Sequence, residues 1–349
     1  MWFFLACSAI GTRERVEPSF LAVGLAEGTE AGSAEAPLPF SSAPSTVGIT
    51  VQALDIDGKP YPWPGTVTLK SRPGRIEPDH VNLDDDGAYQ GSVSIEAGFG
   101  PTRAWALDED TDDDRVPGWA AGVSEPVWWA FPTLAEMQAT DNHETNQLAG
   151  EFAELRIADR QVVVAAIDAA GFWASDLLDA ATGYAGIYVY TFNKPDESIV
   201  IGAQLSSLNG QDQEYLGSTQ LSWPTYGVVE GVSLTPPDAM LLTEAACGDD
   251  NEMEKLEASR VRAESPTIPA SFTTDSEEYA DYEEYGQWPI SFGSCTLYVE
   301  SGSSVPEYFP PDHAGETLEH VEGMIKEVYG KWIFTILDAE GIGATKVSP

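Results

Sequence analysis

The sequence predicts an all-β, multi-domain protein, and three observations carry that prediction. Short runs alternating apolar and polar residues recur between Gly-, Pro- and Asp-rich turns from residue 46 onward. The second half repeats itself: the stretch from Gly202 to Gly217 aligns without gaps on the stretch from Gly315 to Gly330, with five of sixteen positions identical. No run of 18 consecutive apolar residues marks a membrane-spanning helix. A length of 349 residues suits two or three domains.

The chain carries 57 acidic and 17 basic side chains, a net charge of −40. Phosphate affinity needs clustered Lys and Arg, so this balance argues against a nucleic-acid partner. It also argues against an amphipathic helix lying on an anionic membrane. The acidity is spread along the whole chain, unlike a local acidic tail. It fits a protein of saline surroundings or one that binds Ca²⁺, because salt screens such repulsion over about 10 Å. It equally fits a secreted protein kept soluble by its surface charge.

The first residues, Met1-Trp-Phe-Phe-Leu-Ala-Cys7-Ser8, are apolar up to a small residue before Cys7 and then turn polar. They resemble the end of a bacterial lipoprotein signal peptide. The resemblance implies that residues 1–7 are a signal-peptide remnant and that Cys7 is the lipidation site. The membrane would then be reached only through that lipid, in the cell envelope at the outer membrane; the alternative location is extracellular. Residues 8–45 are rich in Ala, Gly, Ser, Glu and Pro and show no hydrophobic period, so a flexible linker is expected there.

If Cys7 is lipidated, Cys247 and Cys295 remain as an even pair in an oxidising compartment. A disulfide between them would close a loop of about 48 residues and stabilise by roughly 3–4 kcal/mol. The alternative is two buried free thiols.

Residues 46–132 read as short strands broken by turns at Asp55-Ile-Asp57-Gly58 and Asp84-Asp-Asp86-Gly87, the spacing of an antiparallel sandwich. The run Gly65-Thr-Val-Thr-Leu69, the turn Asp86-Gly87 before Tyr89, and Gly98-Phe-Gly100-Pro-Thr-Arg103-Ala-Trp105 resemble bacterial immunoglobulin-like surface domains. That resemblance implies a spacer or adhesion module with Trp105 packed between the sheets. Asp108, Asp110, Asp112 and Asp114 present carboxylates at alternate positions, a candidate calcium loop. The string fails the EF-hand template, with Asp113 where Gly is required and Trp119 where the bidentate Glu belongs. A solvated acidic loop is the alternative.

Residues 133–153 and 236–250 read as linkers, and 154–235 and 251–345 as two copies of one small β unit. Each copy gives three strands, a connection and a hairpin, the order of a five-stranded OB barrel. Val162 to Val164, Gly171-Phe172, Asp176-Leu177, Gly186-Ile187 and Thr219-Gln-Leu221 resemble the OB-fold domains attached to secreted bacterial nucleases. The resemblance implies two tandem OB-like barrels without the catalytic domain. The family's nucleic-acid surface is in doubt, since 154–235 holds ten acidic residues against Arg156, Arg160 and Lys194. The insert from Asp275 to Tyr285 interleaves carboxylates with tyrosines and is expected as an acidic loop laid on the barrel wall.

No G-x-S-x-G elbow, phosphate loop or nucleotide-binding glycine fingerprint is present, and His143-Glu144 lacks the second histidine of a zincin string because position 147 is Gln. The expected function is a non-catalytic binding or structural module, a cell-surface or secreted lipoprotein, for an extracellular ligand or envelope protein. Phe172, Trp173, Tyr188 and Tyr190 are the candidate ligand-binding rings, although strand alternation must turn half of them inward. The alternative is an extracellular hydrolase, or a hydrolase accessory subunit, using carboxylate or calcium chemistry. No cofactor is expected apart from calcium.

Overall fold

A computed structural model describes residues 20–108, 120–140, 142–143, 145–146 and 148–343. Cys7, Asp110, Asp112 and Asp114 lie outside the described residues. Strand outweighs helix, 45% against 9%, in keeping with the all-β expectation. The chain divides after Trp129 into two units.

The first unit is built of two sheets. One holds β1 (Phe20–Leu25), β2 (Ser45–Leu54), β6 (Ala88–Glu96) and β4 (Arg75–Glu77), in the order β1-β2-β6-β4. The other holds β3 (Thr66–Arg72), β5 (His80–Asn82), β7 (Gly100–Leu107) and β8 (Gly122–Val123), with β9 (Val127–Trp129) also paired to β7. Alternate residues of both sheets, including Val47, Ile49 and Val51 from β2 and Val67 and Leu69 from β3, meet in one core. The two Asp-x-Asp-Gly-like turns close by the same device. Asp55 Oδ1 accepts the N–H groups of Asp57 and Lys59, and Asp84 Oδ1 those of Asp86 and Ala88.

Two expectations change here. The stretch 8–45, expected as a linker, supplies β1, which pairs antiparallel with β2 from Phe20↔Leu54 to Leu25↔Ile49 and buries Leu21. Five apolar residues and a glycine beside Ala- and Gly-rich neighbours are too few to show a period. Trp105, expected between the sheets, points outward at 36% exposure, because Thr102, Ala104 and Ala106 take the inward positions of β7. Trp129 fills the core in its place, at 5% exposure.

The second unit opens with a short helix, α1 (Leu134–Gln138), capped by Thr133 and Glu136 in a reciprocal box, and an edge strand, β10 (Phe152–Glu154). Five strands then close a barrel: β11 (Val162–Ile167), β12 (Gly171–Asp176), β13 (Gly186–Tyr190), β14 (Ala203–Tyr215) and β15 (Ser218–Ser233). Their order is β14-β11-β12-β13-β15, with β15 returning to β14 and with β13 and β15 parallel. This is the strand order of an OB-like barrel.

A connection of β16 (Met240–Leu241), α2 (Glu244–Cys247) and α3 (Asp250–Glu254) leads to a second set of five. These are β17 (Arg260–Glu264), β18 (Gln287–Phe292), β19 (Cys295–Glu300), β20 (His320–Val328) and β21 (Lys331–Thr335), with helix α4 (Tyr279–Tyr285) between β17 and β18. Their order, β17-β20-β21-β19-β18, follows the same path, and the bridge Thr267↔Ser291 links the chain after β17 to β18. Cys247 and Cys295 are joined by a disulfide with Cα atoms 6.3 Å apart. Reducing it is expected to lower the unit's unfolding free energy by about 3–4 kcal/mol, read from urea melts with and without dithiothreitol.

The repeat seen in the sequence holds at the level of register. Tyr188 pairs with Gln220 across the parallel ladder of the first barrel, and Tyr298 with Ile333 across that of the second. Gln220 and Ile333 are matched positions of the repeat. Gly210 and Gly323 are matched too, and both keep space for a carbonyl on the facing strand. A Cβ would lie 3.1 Å from the Ser222 oxygen in one case and 2.6 Å from the Thr335 oxygen in the other. Leu216-Gly217 and Tyr329-Gly330 are matched hairpin turns with positive φ at both residues. The two turns touch: the Tyr329 N–H donates to the Leu216 carbonyl at 2.8 Å.

The tyrosine-rich insert differs from its expectation as a loop. Tyr279 and Tyr282, one turn apart on α4, lay their rings on the second barrel's core, and Gly286 ends the helix at φ 70°.

Candidate functional site: an aromatic groove between the barrels

Strand alternation decides which rings of the first barrel are available. On β12, Phe172 points inward with no exposure and meets Tyr226 edge-on at 5.3 Å. Phe172 therefore leaves the set of candidate binding rings. Its neighbour Trp173 points out of the barrel but is only 2% exposed, covered by the second barrel; it pairs across the ladder with Tyr188 of β13, whose next outward residue is Tyr190. The structure thus brings together three of the four rings singled out in the sequence.

Two more complete the row. Ring centroids run from Trp173 to Tyr188 (4.8 Å), on to Tyr190 (6.4 Å), to Phe192 (4.5 Å) and to Trp223 (4.4 Å). Successive rings are tilted by 34–49°, so the row forms a stepped surface. Phe192 is 41% exposed and Trp223 64%. Both have left-handed backbones, φ 65° and 50°, which bulky side chains adopt at a cost of about 1–2 kcal/mol. That twist turns Trp223 to solvent from a run that reads in sequence as an apolar strand. No alternation pattern would have exposed it.

The row floors a groove of about 480 Å³. Polar walls come from the first barrel through Asp168, Gln213, Ser218, Gln220 and Ser222, and from the second through Lys326 and Glu327. Apolar contact between Trp173, Ala166, Ala258 and Met324, with Tyr188 packed against them, holds the two barrels together at its base. The Asp168 carboxylate accepts the Tyr188 O–H, 3.1 Å from each oxygen, and the N–H groups of Ala170 and Gly171. Burial, together with the nearby negative charge of Asp168, raises the Tyr188 hydroxyl well above its usual range, so it stays a donor. Lys326 is paired with Glu300 at 2.6 Å.

Below the groove lies a seam of carboxylates. Glu257 is fully buried; its oxygens accept the N–H of Thr219 from the first barrel (3.0 Å) and that of Glu327 from the second (3.4 Å). Asp212, also fully buried, accepts from Asn146 Nδ2 at 3.0 Å. Glu214 accepts the Thr219 hydroxyl. Asp212 Oδ2, Glu214 Oε1, Glu254 Oε2 and Glu327 Oε2 are buried without a hydrogen-bond partner among the described residues. Burial pushes the Asp212 carboxyl up to about 8. Burial, and then repulsion from Glu257, raises Glu254; burial raises Glu257 against the opposing hydrogen bond of Ser218, with repulsion from Glu214 adding to it; Glu214 and Glu327 are raised by burial. Electrostatic interaction with His143 opposes the rise at both Glu214 and Glu327. Glu214 and Glu327 are matched, identical positions of the repeat. Their identity follows from the seam, which no reading of one copy alone would reveal.

No protein-family model matches the sequence, and no curated protein does either. Asp108 is the one member of the candidate calcium loop among the described residues. Among the described residues, no group of three His, Cys, Asp or Glu side chains is arranged to hold a metal ion. Likewise among the described residues, no helix is long and apolar enough to cross a membrane.

Proposed function

We propose that the protein is a non-catalytic binding module, working outside the cell or on its envelope, that seats its ligand in the aromatic groove. The observation that carries this reading is the row of four rings Tyr188, Tyr190, Phe192 and Trp223, with Trp173 packed at its base, walled by side-chain amides, hydroxyls and carboxylates of two barrels. Rings presented in steps take up flat or apolar surface with little loss of side-chain freedom, and the polar walls orient what lies on them. The disulfide supports an oxidising compartment. Lipidation at Cys7 would tether the module, and the two-sheet first unit, read as an immunoglobulin-like spacer, would hold it off the membrane.

The test is retention against turnover. The protein is incubated with DNA, RNA and neutral glycans, with and without Ca²⁺. No cleavage is expected, and DNA and RNA are not expected to be retained at a net charge of −40; whatever is retained is expected to be held about tenfold more weakly by Trp223→Ala, at an unchanged melting temperature. A ligand bound equally well by Trp223→Ala would remove the groove from consideration. The alternative reading, a hydrolase of extracellular polymer, draws on one feature: Glu327 lines the groove and burial raises its carboxyl, as a general acid requires. Cleavage of any of these polymers would favour it.

A further inference from the structure

The two barrels share a frame, so what fills a position in one shows what the matched position in the other is shaped to receive. In the second barrel, the outward tyrosine of its third strand, Tyr298, is covered by a lysine. Lys331 Nζ lies 4.8 Å from the Tyr298 ring centroid, over its face. The same ammonium is held at 2.8 Å by Asp281, which stands on the connection between that barrel's first and second strands.

The first barrel has two of these three parts. Tyr188 occupies the place of Tyr298, as the parallel pairings Tyr188↔Gln220 and Tyr298↔Ile333 show. Asp168 stands on the matching connection, between β11 and β12, with its carboxylate on the Tyr188 hydroxyl. The third part is missing. The residue matched to Lys331 is Ser218, the first after the hairpin glycine in each copy, and it lines the groove. A serine cannot reach over the ring.

We propose that the groove receives a lysine side chain from a basic polypeptide partner, its ammonium seated on the Tyr188 ring beside Asp168. The inference rests on the binding-module reading above and adds the ligand's chemistry. Charge supports it: the chain carries −40 overall, and among the described residues the one cation in the groove wall, Lys326, is already paired with Glu300. Long-range attraction of a basic segment by such a surface speeds encounter, while the ring and the carboxylate choose the side chain. Tyr190, Phe192 and Trp223 continue from Tyr188 and offer apolar steps to the residues flanking the lysine.

The experiment titrates the full chain, in 0.15 M NaCl, with a short Gly-rich peptide bearing one central lysine. The same peptide with norleucine or Nε-acetyl-lysine at that position serves as the uncharged comparison. Binding is read by calorimetry and by the indole N–H signals in NMR spectra. The lysine peptide is expected to bind at least about tenfold more tightly than either comparison. Tyr188→Leu and Asp168→Asn are each expected to weaken it about tenfold, with Tyr188→Phe, which keeps a ring, weakening it less. Melting curves check that each variant folds; should Tyr188→Leu fail, Asp168→Asn, which keeps the hydrogen-bond acceptor, decides. Equal binding of the norleucine peptide, or indifference to Asp168→Asn, overturns the lysine inference. A neutral glycan that binds and is lost in Trp223→Ala, without lysine binding, overturns it too but leaves the groove as a binding site. If no ligand of any class responds to Trp223→Ala, both readings fall.

Discussion

Raising the pH from about 5 to 9 is expected to strip several kcal/mol of stability from the barrel pair, and Asp212→Asn to remove much of that loss. The Asp212 carboxyl titrates at about 8 in the folded protein because it is out of contact with water. In the unfolded chain an aspartate titrates near 3.9. The folded state therefore holds a proton that the unfolded state gives up, and stability falls as pH rises between the two values. The contribution is fully present below about pH 4 and is gone above about pH 8. A gap of roughly four pH units corresponds to about 5 kcal/mol for this one group. Glu214, Glu254, Glu257 and Glu327 are shifted in the same direction and steepen the decline.

General repulsion within a chain of charge −40 acts in the same sense, so the measurement belongs in 0.5 M NaCl, where it is screened. Urea midpoints across the pH range would be compared for the native sequence and for Asp212→Asn. Asparagine keeps an oxygen for Asn146 Nδ2 and cannot ionise. Parallel pH profiles for the two proteins would show that Asp212 is ionised in the fold, and the seam would have to be reconsidered.

The second large effect is expected at Arg160. Its Nε donates to Asp176 Oδ2 at 2.5 Å, and its Nη2 to Asp179. Asp176 ends β12 with no exposed surface, and its other oxygen accepts the Leu178 N–H at 3.0 Å. Arg160→Met leaves a buried carboxylate without its counter-charge and is expected to cost about 3–5 kcal/mol. Arg160→Met combined with Asp176→Leu removes both charges and is expected to recover most of that loss, because the buried pair contributes little beyond an apolar pair of similar volume. Urea denaturation of the single and double variants measures both numbers. A single variant within about 1 kcal/mol of the native protein would mean that Asp176 is not held by Arg160.

The barrels were legible because two independent signals agreed, alternation within strands and recurrence between copies. Matched glycines at 210 and 323, and at 217 and 330, mark where the backbone needs room or a left-handed turn, and such needs survive when side chains drift. The site was legible in part. Alternation forces one of Phe172 and Trp173 outward but does not say which, and burial of Val189 opposite Phe172 settles it. Trp223 and Phe192 escaped because their exposure comes from single left-handed residues, which leave no period. Trp105 was misplaced because its strand is filled inward by small residues, Ala104 and Ala106, which a search for large apolar side chains passes over. The carboxylate seam was invisible for a different reason. Its members come from β14, the connection ahead of β17 and β20, and only folding assembles them.

Glu327 stands at once in the groove wall and in the buried carboxylate cluster. Any occupant that changes the field at its carboxyl must alter how readily that carboxyl takes up hydrogen ions, and acidity must alter the occupant's grip by the same factor. A lysine seated in the groove as proposed would favour the ionised form of that carboxyl, so its hold is expected to tighten as the pH rises through the carboxyl's titration.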